Sequence, residues 1–371
     1  MEPVRVVHCM AGLSNGGYES LVMNLYRCID RERLQFDFIS SFPGVFEQEI
    51  EALGGRIHRI PFITQKGPFV YTHALDCVLK EHPEYKIIHS HMDKFSGLVM
   101  ARAKKAGIPV RIAHSHNTQN EGGLAFQLVK DYYGKMVLPN ATHLFACGEA
   151  AAQWMFGRQA EQAKILKNGV DLDLFSASLA KREPVRKDLG LSPDTLVFGH
   201  VGRFTEQKNH RYLLDIFASV HTLCPNSVLL LVGNGALLPE MQQKAADLGI
   251  EKAVRFLGLR QDIPQLLAAM DCFIFPSLHE GLPVTLVEAQ ATGLPVVAAS
   301  TITAQVCVTP LVQQLGLESS AKEWAGHAIT AARKGQENRR CPTELLKAAG
   351  YDIHKTAKEL EQFYLSLYQS L

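Results

Sequence analysis

The chain has 371 residues, 47% hydrophobic and 20% charged, with 38 Lys and Arg against 37 Asp and Glu for a net charge of +1. That length supports two separate cores, and the balanced charge offers no global field to attract nucleic acid. No apolar run approaches the roughly 20 residues that span a bilayer. The start, Met1-Glu2-Pro3-Val4-Arg5, runs into a strand pattern without a signal-peptide core, and the eight cysteines form no C-x-x-C pair. A reduced, cytoplasmic protein without a cysteine metal site is therefore expected.

In chain order, residues 4–10 predict a buried strand, residues 11–17 a glycine turn, and residues 18–28 a helix. The turn spacing is G-x-x-x-G-G, not G-x-G-x-x-G, and the second strand, residues 34–40, ends without the acidic residue that would hold a ribose hydroxyl. Both departures argue against a nicotinamide dehydrogenase. Gly16 and Gly17 still allow a ligand close to the backbone, with their amides at a helix N-terminus. Strands over residues 55–60, 86–90 and 109–114 then alternate with helices over 71–80 and 94–106, the pattern of a doubly wound parallel sheet.

Two of these strands close on His89-Ser90-His91 and His114-Ser115-His116-Asn117-Thr118. Such polar runs are poor core material, and His116 is the residue among them best suited to face a ligand. Residues i and i+2 share a face only while a strand continues, and no carboxylate cluster accompanies the H-x-H pairs, so no metal is expected. Residues 122–138 form an amphipathic stretch in which Phe126, Leu128, Val129, Tyr132 and Tyr133 accompany Lys130 and Lys135. It reads most plainly as a helix packed on the first sheet, and otherwise as an aromatic, basic edge for a membrane surface.

Residues 164–171 predict a strand broken at Asn168-Gly169, and the polar segment 176–188 follows, which places a domain boundary here: residues 1–170, then 171–352. The second half repeats the alternation, with strands over 195–201, 228–232, 254–257 and 271–276 and helices over 210–223 and 238–248. Gly233 and Leu259 stand in strand-end loops where a flat base could stack. A final amphipathic helix, 353–371, must bury its apolar face.

Two loops carry the chemistry. Gly202-Arg203-Phe204-Thr205-Glu206-Gln207-Lys208-Asn209 puts two fixed cations after one strand. His279-Glu280-Gly281-Leu282-Pro283-Val284-Thr285-Leu286-Val287-Glu288-Ala289 sets two carboxylates across a loop-to-helix junction after another. Pro283 suits a first helical position, and the amides from Leu282 to Thr285 suit a phosphate. Both loops lie at the carboxyl ends of strands, where open α/β sheets bind ligands. Together they suit a nucleotide diphosphate sugar.

With Leu13-Ser14-Asn15-Gly16-Gly17-Tyr18-Glu19, Met23-Asn24-Leu25-Tyr26-Arg27, residues 111–118, Cys147-Gly148-Glu149-Ala150, Trp154-Met155-Phe156-Gly157 and residues 167–171 added, the chain resembles glycosyltransferase family 4, and within it the bacterial exopolysaccharide and capsule enzymes. The resemblance implies an α/β GT-B fold: two Rossmann-like domains facing across a cleft, the first for acceptor and the second for donor, with helix 353–371 crossing back to the first. It implies Arg203 and Lys208 on the diphosphate, Glu280 on the donor sugar, Glu288 on the ribose and His116 near the reacting carbon. Gly16, Gly17, Gly202, Gly233, Leu259, Leu282, Pro283, Val284 and Thr285 complete the implied donor contacts.

The implied activity is retaining and metal-independent, without a cofactor. It moves a sugar, most simply from a UDP-sugar, to a polysaccharide or lipid-linked glycan during surface polysaccharide synthesis, with peripheral contact at the inner membrane face left open. Retaining hydrolases place two carboxylates about 5 Å apart as acid and nucleophile. Here both glutamates suit binding, so the resemblance implies same-face attack with the leaving phosphate taking the acceptor's proton. A UDP-sugar isomerase or hydrolase of the same fold, and a non-catalytic nucleotide-sugar-binding protein, are the alternatives.

Overall fold

The computed structural model describes residues 2–14, 16–118, 123–337 and 339–371, so Asn15 of the glycine turn and Gly122 of the amphipathic stretch lie outside the described residues. The chain divides into two compact units, Met1–Gly169 with Asp352–Leu371, and Val170–Tyr351.

In the first unit, strands β1 (Val4–Gly12), β2 (Leu34–Phe42), β3 (Ile57–Arg59), β4 (Ile87–Ser90), β5 (Val110–Ser115), β6 (His143–Ala146) and β7 (Lys164–Ile165) form a sheet in the order β3-β2-β1-β4-β5-β6-β7. Its pairings are parallel, and β1 pairs with β4 so that His8 stands opposite His89. The strands read as near-continuous apolar runs because helices cover both faces; Val6, Phe36, Ile87 and Ile112 are fully buried. Helix Ile353–Gln369 sinks Ile353, Ala357, Leu360 and Tyr364 into this core. Its first turn is capped by Asp352, whose side chain accepts from the His354 amide.

The second unit contains β8 (Leu196–Val201), β9 (Ser227–Val232), β10 (Val254–Gly258), β11 (Cys272–Phe275), β12 (Val296–Ala299) and β13 (Val312–Leu315), ordered β10-β9-β8-β11-β12-β13. The order reverses between β8 and β11, and the two chemistry-bearing loops are the ones that leave these neighbouring strands. A topological switch point is where such a sheet opens a ligand site.

Three expectations change. Residues 176–188 are not a polar boundary segment: they lie in helix Leu172–Ala177, a 3-10 turn and helix Arg182–Asp188, all within the second unit. Their charge turns inward, with Arg182 and Arg186 on Asp271 at 2.5 and 3.2 Å and Arg186 only 2% exposed. The helix expected over 71–80 begins at Ile63, bending where Gly67 takes φ 81 ahead of Pro68. The amphipathic stretch is two helices, Leu124–Gly134 and Val137–Asn140, and the first of them buries none of its residues. Phe126 and Tyr133 touch Phe95, each at 5.8 Å between ring centroids, while Leu124, Leu128 and Tyr132 stay exposed.

Candidate active site

The loop after β8 is laced to its neighbours through backbone. Gly202 N donates to Val232 O at 2.9 Å, Phe204 N to Asn234 O at 3.0 Å, and Gly233 N to Gly258 O at 2.9 Å. Gly233 has φ 143, and a Cβ there would lie 2.1 Å from Gly202 O, so only glycine fits. Asn209 then takes a left-handed conformation, φ 53, and starts helix His210–Leu223. Its Nδ2 donates to Pro276 O at 3.1 Å. Leu278 N donates to Gln207 O at 2.8 Å, and Gln207 Nε2 to His279 O at 3.0 Å.

That bonding brings the two loops into one constellation. Lys208 Nζ sits 2.7 Å from Glu280 Oε1, with side-chain exposures of 15% and 8%, and 4.8 Å above the Phe275 ring. Gln207 Nε2 reaches Glu280 Oε2 at 3.4 Å. Arg203 is exposed, and among the described residues its guanidinium has no ion-pair or hydrogen-bond partner. The pair of expected cations is thus unequal: the charge of Lys208 is already compensated, and that of Arg203 is not.

Helix Val284–Ala291 follows, with Pro283 as its N-cap at φ −72, ψ 97. Pro283 is therefore one position earlier than the expected first helical residue. It has no N–H to offer, and Leu286 N turns back to Pro283 O at 3.1 Å. The donors at this terminus reduce to the first helical amides, Val284 and Thr285. The buried Oγ atoms of Thr285 and Ser277 have no partner among the described residues. Glu288 lies one turn further on. Protein packs around its carboxyl, and desolvation pushes it up to about 7. Leu259, after β10, is 66% exposed, next to an Arg260–Asp262 ion pair at 2.6 Å.

In the first unit Gly16 is the N-cap of helix Gly17–Cys28. A Cβ on Gly16 would lie 2.2 Å from Glu19 Oε2, whereas one on Gly17 would meet nothing within 4 Å. A carboxylate thus already lies at this positive helix end, a favourable place for an anion, and the space beside Gly17 is open.

The histidines at the strand ends converge. His8 Nδ1 and His91 Nε2 are 2.9 Å apart, His91 Nδ1 and His116 Nε2 2.8 Å, and His89 Nε2 and His114 Nδ1 3.1 Å. His89 Nδ1 meets Tyr364 OH at 2.5 Å, and Tyr18 stacks on His116 at 5.2 Å. Burial, with no fixed cation needed, pushes His8 and His116 down to about 3 and His89, His91 and His114 well below their ordinary value. All five rings are neutral at pH 7. In the row His8–His91–His116, three neutral imidazoles carry three N–H groups and share two contacts, so one N–H is left over at an end. The end atoms, His8 Nε2 and His116 Nδ1, are indeed buried without partners among the described residues.

Comparison with known proteins identifies the lineage. The family pattern described as Glycosyltransferase Family 4 matches residues 15–174, and that of Glycosyl transferases group 1 matches residues 195–331. A Bacillus subtilis protein named as a glycosyltransferase, EpsF, is 37% identical over 97% of this chain and 96% of its own length. The chain belongs to glycosyltransferase family 4. An Escherichia coli family relative, named as a UDP-Gal:α-D-GlcNAc-diphosphoundecaprenol α-1,3-galactosyltransferase, is 31% identical over 60% of this chain and 59% of its own length. The Anabaena protein Alr3699/HepE, solved in complex with UDP and glucose, matches with a TM-score of 0.79 at 22% identity, over 97% of this chain and 99% of its own. The fold is the two-unit, Rossmann-like GT-B architecture of this family.

Within the family 4 chain, Gly202, Arg203 and Lys208 lie in the loop after β8, Gly233 in the loop after β9, Leu259 in the loop after β10, Glu280, Leu282 and Pro283 in the loop after β11, and Val284, Thr285 and Glu288 in the first two turns of the helix that follows. His116, Gly16 and Gly17 belong to the first unit. Sequence reasoning gave no role to Gln207, which bonds the two loops, nor to Glu19, His8 or Tyr364. No local sequence signal marks Gln207; its bonds to His279 O and Glu280 join residues 72 and 73 positions apart.

Proposed function

We propose that this family 4 enzyme is a retaining glycosyltransferase that moves a sugar from a UDP-sugar to a glycan or lipid-linked glycan in surface polysaccharide synthesis, on the cytoplasmic side and without a metal or cofactor. The observation that carries the reading is the Lys208–Glu280 pair beside the unpaired Arg203, at a switch point that also presents the first amides of helix Val284–Ala291. The names of the Escherichia coli relative and the Anabaena complexes support UDP as the nucleotide, and that of the Staphylococcus aureus capsule glycosyltransferase CapH, 24% identical over 98% of this chain, supports a polysaccharide product.

As the bond from the anomeric carbon to the β-phosphate oxygen breaks, positive charge grows on the sugar ring and negative charge on the departing diphosphate. Arg203 and the amides of Val284 and Thr285 then stabilise the transition state more than the ground state, which is what accelerates a reaction. Lys208 serves in part by fixing Glu280, whose carboxylate takes hydroxyls of the donor sugar. Glu288 takes the ribose, and Gly233 and Leu259 flank the base. The acceptor oxygen bonds to the anomeric carbon on the face the leaving group departs from, and its proton passes to the phosphate oxygen. His116, neutral at working pH, contributes a lone pair or an N–H to the reacting sugar without adding charge.

Among the described residues no helix is long and apolar enough to cross a membrane. We assign peripheral contact to helix Leu124–Gly134, where Leu124, Leu128 and Tyr132 are 82%, 70% and 65% exposed and Lys130 supplies charge for anionic headgroups. Flotation with anionic vesicles checks this, and unchanged flotation of Leu124→Ser/Leu128→Ser would remove it. The main test is a panel of UDP-sugars with lipid-linked and free glycans, read as acceptor-dependent UDP release and as the anomeric configuration of the product by NMR. Inverted product, or UDP release that ignores acceptor, would overturn the reading.

A further inference from the structure

We propose that His91, His114 and His116, at the ends of β4 and β5, form a binding site for a divalent transition metal such as Zn²⁺, separate from the donor loops. One nitrogen from each of these three lies within 4.8 Å of the others, and His8, His89 and His91 make a second such triad sharing His91. Imidazole is a suitable donor for zinc, copper and nickel, and three of them leave the fourth tetrahedral position to water. The site is built as metal sites are, with the ligands held from behind. His91 Nε2 rests on His8 Nδ1 at 2.9 Å, His114 Nδ1 on His89 Nε2 at 3.1 Å, and His89 Nδ1 on Tyr364 OH at 2.5 Å.

The unpartnered atoms point the same way. Buried polar nitrogens without a hydrogen bond cost about 1–3 kcal/mol each, yet His114 Nε2 and His116 Nδ1 are both in that state among the described residues. A metal at His114 Nε2, His91 Nδ1 and His116 Nε2 uses the first of these lone pairs and replaces the 2.8 Å contact between the other two rings. No proton is lost in the exchange: the three N–H groups of the row move to His91 Nε2, His8 Nε2 and His116 Nδ1. Countercharge is at hand, because Asp93 Oδ1 accepts from the His116 amide at 3.1 Å and Asp93 Oδ2 from Asn117 Nδ2 at 2.5 Å. As a whole residue His116 is the least buried of the three ligands, so an ion would reach the site from its side.

The experiment is titration of the chelator-stripped, full-length protein with Zn²⁺ by calorimetry and with Co²⁺ by absorption. One equivalent with the strong ligand-field bands of tetrahedral Co²⁺ is expected, and at least tenfold weaker binding in His116→Gln and in His91→Gln. The partly exposed His116 keeps the test usable if His91→Gln fails to fold, and His58→Gln, remote from the cluster, should bind as the parent does. No binding, octahedral Co²⁺ only, or binding that the His116 variant leaves unchanged would overturn the site. The consequence for transfer rests on the role given to His116 above: bound Zn²⁺ should abolish acceptor-dependent UDP release, reversibly by chelator. Binding with full activity would keep the metal site and remove His116 from the reaction.

Discussion

Each unit places its polar residues at the same kind of position, the carboxyl ends of strands at the point where a parallel sheet reverses order, yet the two sites are made of opposite material. At the β8/β11 switch the groups are charged: Lys208 on Glu280, and Arg203 exposed without a partner. In the first unit they are five imidazoles, His8 within β1 and the others at the ends of β4 and β5, kept neutral by burial. On the proposed function the contrast would follow from what each set meets. A diphosphate arrives with its charge already formed and calls for fixed cations and amide dipoles. A sugar carbon that becomes positive only in passing calls for neutral groups that can offer an N–H or a lone pair.

The largest expected effect breaks the charged site. Arg203→Ala should lower kcat/KM by about 100-fold, as loss of one donor to a developing anion does, and leave the melting temperature unchanged because the exposed side chain makes no hydrogen bond or ion pair among the described residues. Lys208→Met should lower both, since it leaves the enclosed Glu280 carboxylate uncompensated, and removing one member of a buried pair is strongly destabilising. The Lys208→Met/Glu280→Gln double variant should recover part of the lost melting temperature, with an interaction energy of about 0.5–3 kcal/mol between the two sites. Additive losses in thermal denaturation would mean the two side chains act separately.

Glu288, on the helix that follows the second loop, sharpens the comparison, because it behaves like the imidazoles: its carboxyl is desolvated, without a cation partner among the described residues, and shifted toward neutrality. Its carboxyl titrates near 7 in the folded chain, against 4.5 for an ordinary glutamate. If the ionised carboxylate accepts ribose hydroxyls, as proposed, UDP affinity should rise with pH through about 7 and level off only above it, and Glu288→Gln should weaken binding and flatten that dependence. The stability sign is opposite to that of a paired carboxylate. With the folded value raised, the folded state holds a proton that the unfolded state has released, so stability declines as pH climbs from 4.5 toward 7. The Gln variant should melt higher than the parent at pH 8 and no higher at pH 4. Calorimetry with UDP at several pH values decides the first part, and a flat profile in the parent would remove Glu288 from the ribose.

How much of this was legible in the sequence depended on whether the deciding contact was local. Helix His210–Leu223 and the β8 to β11 strands follow from apolar runs closed by glycine or proline, and their ends matched to within a few residues. Pro283 was one position off because cap and first helical residue differ only in ψ, here 97. The Lys208–Glu280 pair joins residues 72 apart, so both could be named from their loops but not as partners. Residues 176–188 looked like linker since nothing local shows that Arg182 and Arg186 have a buried Asp271 to neutralise. The imidazole cluster was the deepest miss: taken strand by strand, an H-x-H pair points nowhere in particular. Only the register that sets His8 opposite His89, and β4 beside β5, brings the rings together.

The smallest expected effect tests whether the glycine turn of the first unit belongs with the charged site or with the neutral one. Gly16 is held by its own fold: a Cβ there would press within 2.2 Å of the Glu19 carboxylate, so Gly16→Ala disturbs the helix start whatever binds. Gly17 has open space beside it and negative φ, and alanine at a helical position with compatible backbone gains roughly 0.5–1 kcal/mol over glycine. If Gly17 serves folding alone, Gly17→Ala should raise the melting temperature slightly and leave the kinetics as they were. If it is small so that phosphate can approach the helix amides, the same variant should be as stable or more so and yet show a several-fold higher KM for the donor, with KM for the acceptor unchanged. In that second case Glu19→Gln should do the reverse, lowering donor KM, because it withdraws a negative charge from the helix end the phosphate would approach. Steady-state kinetics on the two variants, beside their melting curves, separates the cases, and equal donor KM in all three proteins would assign the turn to architecture.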